Sequence, residues 1–268
     1  MSGGTIAGAL LLTTLAGAAT VIGAAAAFTA RRTNTALLSG ALGLSGGVMV
    51  YIAFVSLLSD ANEALAGLLG KTPGHLTAMG AFFGGMLLAA LIDKMVPETV
   101  NPHQTRRIEE LGDEKLPADL KRMSFVTTLA MVLHKFPEGI AVFASGIQSA
   151  ELGIPVALAM ALHNIPEGIA VSVPVFYATG SKKKAFLIAS LTGLADPAGA
   201  VLGWILLMPL IKNFPAALPV IHAAVAGIMV FVTFDGLLPM AQKFGRPHLT
   251  LYGIISGMFL MALALAFL

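Results

Sequence analysis

Eight stretches of this chain are each long and apolar enough to cross a bilayer: 5–29, 36–58, 75–96, 124–147, 153–177, 185–210, 217–239 and 249–268. About 20 mostly apolar residues suffice for one helical crossing. The pattern therefore predicts an all-α integral membrane protein with eight transmembrane helices and membrane lipid around it. Composition agrees, because only 11% of the 268 residues are charged, against roughly 25% in soluble domains. A formal net charge of +2 gives no reason to expect nucleic acid as a partner. The chain has no Cys, which excludes disulfides and thiolate metal sites.

The basic residues predict orientation, since cytoplasmic connections carry the excess of Lys and Arg. Connections 1–2, 3–4, 5–6 and 7–8, with their helix ends, hold thirteen, including Arg31, Arg32, Arg106, Arg107 and Lys182–Lys184. The opposite side holds Lys71 and Lys212, and Lys135 lies within a span. Both termini are thus expected outside, with the whole chain, 1–268, forming one transmembrane domain. The one long connection, 97–123, is rich in both charge signs and reads as a cytoplasmic loop with at most a short helix. His103 within it reads as a solvated surface histidine. The first stretch lacks a basic leader, and its apolar run is too long for a signal peptide, so it is expected to stay as a membrane helix. Glycines pepper the spans (Gly8, Gly17, Gly23, Gly40, Gly43, Gly46, Gly47, Gly84, Gly85), which fits helices packing closely in lipid; for any single one a simple backbone kink is the alternative.

Within this apolar chain one polar pattern occurs twice. MVLHKFPEGIAV (131–142) and MALHNIPEGIAV (160–171) agree at nine of twelve positions. They fall on adjacent spans that cross in opposite directions, so a two-fold axis in the membrane plane would relate them, as in the inverted repeats of secondary transporters. His134 and Glu138 are four apart and share a helix face, as do His163 and Glu167. Glu138 and His163 each lie about ten residues from the outer end of their spans, or roughly 15 Å deep at 1.5 Å per residue. Pro137 and Pro166 each remove a helix hydrogen bond and crowd the carbonyl four residues back. Asp196, in GLADPAGA, lies at similar depth in the sixth span and is also followed by a proline. Ionisable groups at that depth are costly and mark functional sites. Two His with two or three carboxylates suit zinc or another borderline divalent ion better than magnesium or calcium.

These residues resemble the ZIP (Zrt/Irt-like) family of divalent metal transporters, and more closely its broad-specificity bacterial zinc-uptake branch. The paired H-x-x-P-E-G motifs on spans four and five carry the resemblance, with YATGSKK after span five and GLADPAGA in span six. It implies a 3+2+3 inverted-repeat arrangement, residence in the cytoplasmic membrane, and import of zinc, with iron, manganese, cobalt and cadmium as related cargo. The metal is then a substrate, and no cofactor is expected; a homodimer is compatible. It further implies a first metal position made by His134, Glu138, His163 and Glu167, and a second made by Glu138, Asn164, Glu167 and Asp196. The chain departs from the family where Lys135 replaces a usual ligand, where Asp196 replaces a longer Glu, and where Gly236 and Ser56 replace expected acids. An ammonium cannot coordinate metal, but its charge can stand in for a second metal ion, which is the role expected of Lys135; the alternative is that its side chain turns away and snorkels toward water.

Two other functions compete with carrier-type import. A metal-gated channel or sensor would use the same ligands. An intramembrane metalloprotease would want two His at i and i+4 with a Glu base between them. Here the i+4 residue is itself a Glu and no acid is left as base, so an enzyme is not expected.

Overall fold

The computed structural model describes residues 3–29, 35–95, 116–243 and 247–267, and every element among them is helical. These are α1 (Gly3–Thr29), α2 (Thr35–Ile52), α3 (Leu58–Leu69), α4 (Lys71–Met95), α5 (Leu116–Gln148), α6 (Ala150–Thr179), α7 (Lys182–Thr192), α8 (Ala195–Asn213), α9 (Ala217–Val232), α10 (Leu238–Lys243) and α11 (Pro247–Phe267). Among the described residues they form eight rods. One π-helical turn, Ala53–Leu57, joins α2 to α3, and another, Thr233–Leu237, joins α9 to α10. Among the described residues, seven helical segments are long and apolar enough to cross a membrane, including Ile6–Ala27, Ser39–Leu69 and Ala150–Ser172. The rod α5 is not among those seven. It carries Lys121, Arg122, Lys135 and Glu138, the charges expected to dilute its apolar signal.

Helix ends fall where local chemistry puts them. The Ser149 hydroxyl accepts the Leu152 N–H at the start of α6, and Ser181 does the same for Lys184 at the start of α7. Gly180 closes α6 in the left-handed region (φ 65°), where only Gly is free of the Cβ penalty. Helix α5 starts at Leu116, inside the segment 97–123 read from sequence as loop. His103, the rest of that segment up to residue 115 and the connection 30–34 lie outside the described residues.

The rods pack as two groups. In one, α1 lies along α6, α5 along α8, and α5 against α6; in the other, α2 lies along α11 and α4 along α9. Exchanging the first three rods for the last three maps α2–α11 onto α4–α9 and α1–α6 onto α5–α8. The π turns correspond in the same exchange: Phe54, Leu57, Leu58 and Ala61 recur as Phe234, Leu237, Leu238 and Ala241. The largest buried apolar cluster sits where the groups meet. There Leu42, Met49, Ile52, Leu57 and Met229 cluster with Val142, Val156 and Met160.

Glycines let these rods touch backbone to backbone. A Cβ on Gly85 would run into the Ala224 carbonyl, and one on Gly227 into the Phe82 carbonyl. Gly17, Gly23, Gly43 and Gly47 lie equally close to neighbouring backbone, whereas Gly8 and Gly84 have open space beside them. The PEG glycines belong to the first set, Gly139 against Asp196 of α8 and Gly168 against Thr20 of α1.

Candidate metal site

Contrary to what a mid-helix proline suggests, α5 and α6 run unbroken through Pro137 and Pro166. The break is between α7 and α8 instead. There α7 ends at Thr192 and α8 begins at Ala195, joined by turn bonds from Gly193 N–H to Ser190 O (3.2 Å) and Leu194 N–H to Leu191 O (3.1 Å). Pro197 then sits in the first turn of α8, where a missing N–H costs nothing. This break presents Asp196 inward at a helix N-terminus, which favours a negative charge.

Three of the sequence-predicted groups converge. Glu138 of α5 and His163 and Glu167 of α6 are all buried, and one ligand atom from each lies within 4.8 Å of the others. His163 Nε2 is 3.4 Å from Glu138 Oε2 and 4.0 Å from Glu167 Oε1, and neither ring nitrogen makes a hydrogen bond. One borderline nitrogen and two carboxylates around a common point, shielded from water, form a donor set for a divalent ion of the zinc type. His134 lies on α5 one turn before Glu138; its side chain falls outside the described residues.

Lys135, Asn164 and Asp196 form the other half of the cluster, all fully or almost fully buried. The Lys135 ammonium lies 2.9 Å from Glu167 Oε2 and 3.5 Å from Asp196 Oδ2, and it hydrogen-bonds Asn164 Oδ1. Asn164 Nδ2 donates in turn to Asp196 Oδ2 (3.0 Å) and to the Ala16 carbonyl (2.8 Å). Lys135 therefore points into the cluster and does not reach for water. Spacing on α5 and α6 left α1 out of the site, yet its backbone anchors Asn164. Gly17 makes the approach feasible, since a Cβ there would run into the Gly193 carbonyl oxygen and stand 3.1 Å from Asp196 Oδ2. The only sequence signal for this was a small residue beside an Ala. Ser56, where an acid was expected, donates instead to Asp60 Oδ2 one turn on (3.3 Å).

Described residues that are all helical or in short turns, with seven apolar segments of spanning length among them round a buried cluster of ionisable groups, make this a multi-pass membrane protein with a polar interior. A model of the ZIP zinc transporter family matches residues 98–265. Among curated proteins, the chain is 50% identical over 257 residues to the zinc transporter ZupT of Streptococcus mutans, covering 96% of both chains. It is 51% identical to that of Akkermansia muciniphila, with 95% of both covered. With that of Clostridium perfringens it shares 48% identity, over 96% of this chain and 94% of the relative. The chain belongs to the ZIP family.

Proposed function

We propose that this protein imports zinc and related divalent ions (iron, manganese, cobalt, cadmium) across the cytoplasmic membrane into the cell. The observation that carries this reading is the buried Glu138–His163–Glu167 group in a chain half identical to proteins named zinc transporters. In this reading α5 is the eighth span, the repeat is inverted, both termini are outside, and 97–123 faces the cytoplasm. His134, Glu138, His163 and Glu167 hold the cargo ion, His134 being included on its i, i+4 spacing to Glu138. Asn164 and Asp196, with Lys135, make up the adjoining half of the site.

The mechanism follows from charge and packing. An unpaired ion in a low-dielectric interior is prohibitively costly, so a divalent cation crosses only with its charge matched. Two glutamates provide that match, and His163 contributes preference for borderline metals over hard ones. The site lies wholly within the α1–α5–α6–α7–α8 group, which meets the other group across an apolar boundary. Movement of one group against the other, with the site opening to each side in turn, is the alternating access expected of an inverted repeat.

The test is metal uptake into proteoliposomes of the purified full chain across zinc, manganese, iron, cobalt and cadmium, with and without a pH gradient. Saturable zinc uptake is expected. Flux rising linearly with concentration would mark a channel, and no flux with any of the five metals would overturn the proposal.

A further inference from the structure

The Lys135 ammonium occupies a cation position of its own. It has three N–H donors, and three oxygens surround it: Asn164 Oδ1, Glu167 Oε2 and Asp196 Oδ2. The four side chains are buried, so no water competes for them. Glu167 is divided between two roles. Its Oε2 faces the ammonium at 2.9 Å, while its Oε1 faces His163 Nε2 and the group that Glu138 completes. The cluster thus contains two adjoining cation positions sharing one carboxylate, an all-oxygen one filled by the chain itself and a nitrogen-and-oxygen one left for cargo.

The geometry points to Lys135 as a tethered counter-cation that limits the protein to one divalent ion at a time. This deepens the import reading and rests on it. Three carboxylates, Glu138, Glu167 and Asp196, carry three negative charges; Lys135 and one divalent ion carry three positive ones. A buried cluster is least costly when its charges are matched and hydrogen-bonded. A second divalent ion would have to displace the ammonium from its oxygens and would leave an excess of buried positive charge. Lys135 also holds the apo site together. Without cargo it still ties α5, through Asn164 and Asp196, to α6 and α8, so the helices that carry the ligands keep their spacing as the ion comes and goes. Asp196 on this view partners the lysine and does not touch the cargo.

The test measures zinc bound at saturation to the detergent-purified full chain, by equilibrium dialysis with metal analysis. The wild type is expected to bind about one equivalent, and Lys135→Asn and Lys135→Met about two, because each vacates the oxygen position and removes the competing charge. Two equivalents in the wild type, or an unchanged single equivalent in either neutral variant that folds, would each overturn the inference. Failure of the import reading looks different: the wild type itself would bind no zinc and transport none.

Discussion

Glu167 is the residue on which both halves of the site depend. One of its oxygens meets the Lys135 ammonium and the other faces the proposed cargo position. Glu167→Ala therefore removes a cargo ligand and leaves a buried ammonium short of a partner, a change that costs about 3–5 kcal/mol where such pairs have been broken. Zinc uptake by Glu167→Ala is expected to fall to background, and Glu138→Ala to do the same through ligand loss alone. Uptake at the wild-type rate by well-expressed Glu167→Ala protein would remove these residues from the pathway. His163→Ala is milder. It leaves an all-oxygen cargo position, so zinc uptake should weaken while the manganese-to-zinc ratio in a competition assay rises. At this scale the sequence was most informative, because His and Glu four apart on a helix share a face whatever the tertiary fold does. Lys135 was expected beside the shared carboxylates in place of a second metal; its individual partners were not legible, since a long stem can also reach water until the surrounding helices are placed.

At the scale of elements, small residues set how closely helices approach. Gly85 and Gly227 face each other's helices across the α4–α9 contact, with no room for a methyl group. Gly85→Ala should push these helices apart at a cost of about 1–3 kcal/mol, as overpacking does, and lower the thermal midpoint of the detergent-solubilised protein. Gly84→Ala, one residue along and facing open space, should not lower it. Equal melting of the two variants would show that α4 is not packed as described. From the sequence alone Gly84 and Gly85 are indistinguishable, because which side of a uniformly apolar helix meets protein is undetermined until a neighbour is placed against it. The same ambiguity hid the break at Gly193–Leu194, whereas Pro137 and Pro166, the stronger local signals, sit in continuous helices that their neighbours hold in place.

On the scale of the whole molecule, topology is the property open to the most direct test. Glu151 and Lys183 are exposed near opposite ends of α6, a helix of 30 residues and hence about 45 Å long. The chain has no Cys of its own. Glu151→Cys should react with an impermeant thiol reagent on intact cells, and Lys183→Cys only after the membrane is opened. The reverse pattern would invert the proposed orientation, and labelling of both from outside would remove α6 as a crossing.

The sequence by itself determined that the chain is helical and membrane-embedded, since apolar runs of this length have no other way to satisfy their backbone in lipid. It also put His163 and Glu167 on one helix face and named the ligand types of the proposed cargo group, since residue type and helical spacing are local properties. Tertiary structure alone decided that Asp196 reaches the cluster through a broken helix, that α1 supplies the carbonyl anchoring Asn164, and how close the Lys135 ammonium comes to Glu167 and Asp196. These contacts join residues far apart in the chain. Their energies arise only once close packing has excluded water and left each polar group no partner but the others.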